Sequence, residues 1–382
     1  MSELLIHIGG AKTGSTALQN SLHAAQSALQ AQGIYAAGNL RHKVRNPAQL
    51  ALMFTFEPDS WYCKRFNISS IKAFKQHIAP IRQALKLELT QAAKSFRQSI
   101  LSSEHLGFML DSEDKIKLLR DTLTPAYDRA RIVHYFRDPI SLCRAEYSEA
   151  LRAEYTGSYQ RFCLETIQKK RPTIRYGMLA EQWAAVFGIS NCHFASGIRN
   201  TLKNNHITHD FAQYLLAESP FSETQFRDQS TTNPSLKRIG CTAFRLINIE
   251  LPYWIISEGK TCVNTLNTEL KKNVERLLAR GDEIISCPVE DEVFKTAYHD
   301  ILHLRRYARP VADRCLETAD SLLRYQAASN PSQPDEVAMA AGLISEAAEI
   351  IARERQSNES LKPATKLALE KVAALMRRHK QS

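Results

Sequence analysis

Residues 4–22, LLIHIGGAKTGSTALQNSL, join a strand-sized apolar run to a glycine-rich turn and then to a stretch with helical period. Leu4–Ile8 reads as a buried parallel strand that stops at Gly9 and Gly10. Leu18, Leu22, Ala25 and Leu29 recur at spacings of four, three and four, which is one face of a helix. Gly33-Ile34-Tyr35 then returns to the sheet. A chain that opens strand, loop, helix, strand is committed to a crossover connection, and that is the building unit of a parallel sheet.

The same alternation continues downstream. Residues 48–98 are helix-rich, with Trp61, Tyr62 and Phe66 in a loop-bearing segment. Residues 99–103 form a second core strand that ends at Glu104-His105. Residues 131–136, RIVHYF, form a third, stopped by Arg137-Asp138-Pro139, where Asp138 suits an N-cap and Pro139 the first helical position. The next helix has Leu142, Cys143, Tyr147, Ala150 and Leu151 on one side. Residues 176–188 predict a helix closed by Gly188, and NCHFAS (191–196) another strand. The expected fold is α/β: a P-loop-like three-layer arrangement with a central, mostly parallel sheet flanked by helices, plus accessory helices at the C-terminal end. In such sheets ligands sit at the carboxyl ends of strands, where the 9–16 loop, Glu104 and Arg137 would meet. Residues 220–310 read as mainly helical. The expected organisation is an α/β domain over 1–310, a helical extension over 311–328, a linker at 329–335 (SNPSQPD) and a helical segment over 336–382, suited to packing or self-association.

Charge and cysteine usage narrow the partners. The net charge of +10 favours an anionic partner. Eight scattered cysteines with no C-x-x-C argue against a zinc cluster and a disulfide framework, leaving reduced thiols in a cytoplasmic protein. No run of about 18 apolar residues occurs, so no membrane span is expected. No metal and no nucleic-acid partner are expected either.

The loop has an unusual order. Nucleoside-triphosphatase loops place lysine after the last glycine, as G-x-x-x-x-G-K-[ST]. Here Lys12 precedes Gly14, with Thr13, Ser15 and Thr16 around that glycine. Gly9, Gly10 and Gly14 permit close backbone approach to an anion, and the following helix directs N–H groups at it. Arg137, at a strand end beside a helix start, is a fixed fork for phosphate. Glu104, at the carboxyl end of a buried strand, is sited as a general base.

These residues resemble the sulfotransferases that use 3′-phosphoadenylyl sulfate (PAPS), most nearly the bacterial and carbohydrate-type branch. AKTGSTALQ looks like their 5′-phosphosulfate loop, with Ala11 where proline is common. The resemblance implies that Lys12 contacts the phosphosulfate and that Gly10, Ala11, Thr13, Gly14, Ser15 and Thr16 surround the 5′-phosphate. RIVHYFRDPISLCRAEYSEAL is similar to the 3′-phosphate element, which puts Arg137 on that phosphate. The usual serine is replaced by Ala145, so Ser141 or Ser148, one turn to either side, would supply the hydroxyl. ILSSEHLG matches the strand end that carries the base, Glu104. Histidine serves in the small-molecule branch, which is the role open to His105. His42, Asn233 and Ser235 are weaker candidates near the substrate and nucleotide. The implied reaction moves a sulfuryl group to a hydroxyl of a glycan, glycolipid or small alcohol and releases adenosine 3′,5′-bisphosphate. A P-loop kinase or nucleotide hydrolase, and an inactive nucleotide-binding protein of the same fold, stay open as alternatives.

Overall fold

The computed structural model describes residues 1–10, 12–37, 48–56, 61–168, 174–217, 236–257, 260–278, 285, 287–328 and 336–356. Ala11, His42, Asn233, Ser235, the 329–335 linker and residues 357–382 of the C-terminal segment lie outside them.

Five strands form an all-parallel sheet: β1 (Glu3–His7), β2 (Ile34–Ala36), β3 (Gln98–Ser102), β4 (Arg129–Phe136) and β5 (Cys192–Ser196). Their order is β2-β3-β1-β4-β5. The chain extends to one side of β1 with β3 and β2, and to the other with β4 and β5, so the order reverses at β1. Ligand crevices open at such a point. All five residues of β1 are buried, as a strand covered on both faces must be. On one face Leu5, Val133 and Tyr135 pack with Leu18, Leu22, Ile207 and Phe211. Side chains alternate along β4, so His134 and Phe136 take the other face, and Phe136 stacks on Tyr176 of the Tyr176–Phe187 helix. That helix is capped as a buried helix needs: the Asp300 carboxylate accepts from Gly177 N at 2.8 Å, and Gly188 ends it at φ 81°. The architecture is compatible with three layers, helix on sheet on helix.

The chain forms two compact units, and each draws on separate stretches of sequence. The first comprises residues 1–142, 166–233 and 291–322, and contains the sheet. The second comprises 143–165, 234–290 and 323–382. The division expected at residue 310 falls within one helix, Glu290–Ala328, whose geometry breaks at Ala308, two residues ahead of Pro310. A proline inside a helix lacks the N–H and crowds the preceding turn.

In the second unit the helices Arg238–Glu250, Thr265–Leu277 and Glu336–Gln356 pack on one another. The last buries Ala340, Ala341, Ile344, Ala347 and Ile351. The mainly helical expectation for 220–310 needs one correction. Strands β6 (Trp254–Ser257) and β7 (Lys260–Val263) pair antiparallel there. Each has four residues, too few to show a strand period beside long helices. Glu290 is fully buried, and both of its oxygens accept from Arg144, at 2.8 and 2.9 Å, while Tyr159 adds its hydroxyl. None of the eight cysteines is in a disulfide. The Cys163 sulfur nevertheless lies 3.7 Å from that of Cys143 and 3.8 Å from that of Cys287.

Two buried histidines give the first unit an acid sensitivity. Burial pulls His7 down to about 3, and burial together with the nearby His7 pulls His134 down to about 3. Below their ordinary value near 6.5 the unfolded chain takes up protons that the folded chain does not. Stability should therefore be full above about pH 6.5 and fall toward pH 3, by about 1.4 kcal/mol per pH unit for each histidine. Urea denaturation at pH 7.5, 6 and 5 measures this. His7→Phe should flatten the slope, and a slope unchanged by it would refute the assignment.

Candidate functional site

The loop after β1 is held by the strand ends on both sides. Tyr135 N donates to Gly9 O at 2.8 Å, Ser103 N to His7 O at 2.9 Å and Gly107 N to Ile8 O at 3.0 Å. Gly9 and Gly10 take φ of 94° and 126°. A Cβ on Gly9 would lie 2.4 Å from Glu104 Cα, and one on Gly10 would lie 1.9 Å from Tyr135 O. Both glycines are required by φ and by this approach. Lys12 also has a left-handed backbone, φ 58°, which costs a residue with a Cβ about 1–2 kcal/mol. Arg137 donates to the Lys12 carbonyl at 2.8 Å and so supports that conformation. Gly14, at φ 97°, then starts the Ser15–Ala24 helix, whose first-turn N–H groups have no partner within the helix.

Two of the loop's hydroxyls turn inward. Thr13 Oγ1 donates to Gly10 O at 2.7 Å and Ser15 Oγ to the same oxygen at 3.2 Å. Both are buried and hold the turn closed through their own protons, leaving lone pairs rather than donors toward the loop's exterior. Thr16 and Gly14 are exposed.

Glu104 begins the Glu104–Met109 helix directly after β3. Its carboxylate accepts from Gln19 Nε2 at 2.8 Å and stands 3.9 Å from His105 Nε2. The two rival bases are thus neighbours, yet only Glu104 lines the cleft described below. Arg137 is half-buried, and burial pulls its guanidinium down from its ordinary value against the opposing effects of Asp138 and Tyr176. It remains a cation whose partial desolvation favours an anion beside it. Asp138 caps the Pro139–Ala153 helix by accepting from Ser141 N at 2.8 Å, so Ser141 sits in the first turn after Arg137. Ser148 differs. It belongs to the second unit and is fully buried there, donating to Arg144 O at 3.2 Å and accepting from Leu236 N at 3.0 Å. Of the two serines proposed in place of Ala145, only Ser141 lies in the same unit as the loop.

Between the loop and the strand ends is a cleft of about 430 Å³, including its solvent-open mouth. Gly10, Glu104, His134 and Arg137 line it, with walls from Phe108, Phe136, Leu142, Tyr176 and Leu179. Gln19, His134 and Tyr176 were not singled out from the sequence. His134 carried one signal, a polar residue at a core position of an otherwise apolar strand.

No protein-family model, curated protein or solved structure matches this chain. Among the described residues, no group of three His, Cys, Asp or Glu side chains could hold a metal, and no helix is long and apolar enough to cross a membrane.

Proposed function

We propose that the first unit transfers a sulfuryl group from PAPS to an acceptor hydroxyl, in a P-loop-like fold. One observation carries this reading: the Gly9–Gly14 loop, Glu104 and Arg137 converge at the carboxyl ends of β1, β3 and β4. Gly9 abuts the Glu104 backbone, and Arg137 bonds the Lys12 carbonyl. A lysine ahead of the last glycine, an arginine fork in place of a metal-binding aspartate and a carboxylate at the neighbouring strand end favour sulfuryl over phosphoryl transfer.

In this scheme Glu104 takes the acceptor's proton as the acceptor oxygen bonds to sulfur. The bond from sulfur to the bridging oxygen of the 5′-phosphate breaks, and its electron pair leaves on that phosphate. Lys12 offsets the charge that develops there. Arg137 holds the 3′-phosphate, with Ser141 in the adjoining turn. The products are a sulfate ester and adenosine 3′,5′-bisphosphate.

Incubation with ³⁵S-labelled donor and a panel of phenols, alcohols and glycans tests the reaction. A labelled ester should form, and Lys12→Ala should slow its formation about 10²–10³-fold. Unchanged turnover in that variant would remove Lys12 from the mechanism. Phosphate release from ATP with magnesium would favour a kinase or hydrolase instead.

A further inference from the structure

Three cysteines of the second unit form a cluster that the transfer chemistry leaves unused, and none of them lines the cleft. The Cys163 sulfur has two others beside it, Cys143 at 3.7 Å and Cys287 at 3.8 Å. Cys143 and Cys163 lie on the Pro139–Ala153 and Tyr159–Gln168 helices and are buried, at 2% and 0% exposure. Cys287 differs: it is only half-buried, in the turn that leads into the Glu290–Ala328 helix. A buried ion pair fixes the three in place. Glu290, three residues after Cys287, accepts from Arg144, next to Cys143, and from Tyr159, one turn before Cys163.

The two sulfurs of the Cys163–Cys287 contact have opposite chemistry. The Cys163 S–H pulls the Cys287 thiol below its ordinary value, aided by the backbone N–H groups of Val289 and Glu290 and opposed by burial and the Glu290 charge. The two flanking sulfurs, and then burial, push Cys163 up, so it keeps its proton. A solvent-reachable sulfur with thiolate character beside a protonated, buried thiol suits one to attack and the other to resolve.

Independently of the sulfuryl-transfer reading, we propose that Cys287 is an oxidation site for hydroperoxides and that Cys163 resolves it as a disulfide. The Cys287 thiolate attacks a peroxide oxygen, and the O–O bond breaks with its electron pair leaving as hydroxide or alkoxide, which takes a proton from water. Cys287 is then a sulfenic acid, oxidised by two electrons as the peroxide is reduced by two. The Cys163 sulfur next bonds to the Cys287 sulfur and displaces hydroxide, which leaves as water with the Cys163 proton. The sulfurs must close from 3.8 Å to about 2.05 Å. Cys287 lies outside helix and strand, so its turn supplies that movement while Cys163 stays in its helix.

The test treats the full chain, reduced and then freed of reductant, with a small excess of hydrogen peroxide, followed by alkylation and non-reducing peptide mapping by mass spectrometry. The wild type should yield the Cys163–Cys287 cross-linked peptide. Cys262, the other half-buried cysteine, is an internal reference, and Cys287 should be consumed at least about tenfold faster. Cys163→Ala should stop the reaction at a Cys287 sulfenic acid that dimedone labels. Cys287→Ala should leave Cys143 and Cys163 reduced at the same dose. Absence of the cross-link in the wild type, consumption of Cys287 no faster than Cys262, or oxidation of Cys163 in Cys287→Ala overturns the proposal. These three results need no substitution in the core, so they decide the matter even if Cys163→Ala does not fold.

Discussion

Glu290→Ala should lower the unfolding free energy by about 3–5 kcal/mol, the largest stability loss expected from a single substitution outside the sheet. Glu290 is fully buried and binds Arg144 through both oxygens, and Arg144 is itself only 9% exposed. Truncation leaves a guanidinium out of water with no carboxylate, and frees the Tyr159 hydroxyl of its acceptor. The cost comes from the stranded charge more than from the pair's own attraction. Replacing both partners, as Glu290→Leu with Arg144→Met, should therefore recover most of the loss. Urea denaturation of the single and double variants measures both quantities. A double variant as unstable as Glu290→Ala would show that shape, not charge, is what this site provides.

Glu104→Gln should reduce sulfuryl transfer about 10²–10⁴-fold while adenosine 3′,5′-bisphosphate binds as before. Glutamine keeps the size of the side chain and an oxygen for Gln19 Nε2, so the helix start after β3 should persist. Only the capacity to accept a proton is lost. His105→Ala separates the rivals. Its ring lies against Phe108, 5.1 Å between centroids, and does not line the cleft, so its removal should cost far less turnover than the loss of Glu104. If His105→Ala is the more damaging variant, the base is His105.

The sheet was legible because its strands end in turn chemistry that only a few residues perform. Gly9 and Gly10 stop β1, Arg137-Asp138-Pro139 stops β4 and starts a capped helix, and Gly188 closes the helix before β5. Those punctuation marks also predicted where the loop, Glu104 and Arg137 would lie, since a parallel sheet brings its carboxyl ends to one edge. Features set by distant contacts were not legible. Gln19 meets Glu104 across 85 positions, and Cys287 meets Cys163 across 124. The motif resemblance places Thr13 and Ser15 around a phosphate, but it does not show that their rotamers turn both protons to Gly10 O, a matter of local geometry. Ser148 read as an alternative phosphate ligand by helical spacing, whereas the chain passes from one compact unit to the other between Leu142 and Cys143, ahead of it.

Titration calorimetry with adenosine 3′,5′-bisphosphate tests the assignment of the loop and Arg137 most directly. Sulfuryl transfer from PAPS requires saturable one-to-one binding of this nucleotide without a metal. Arg137→Ala should weaken that binding about 10–100-fold, as expected for loss of a charge-assisted phosphate contact. ATP with magnesium should give no comparable heat. Binding of ATP with magnesium in preference to adenosine 3′,5′-bisphosphate, or binding of the latter untouched by Arg137→Ala, would contradict it.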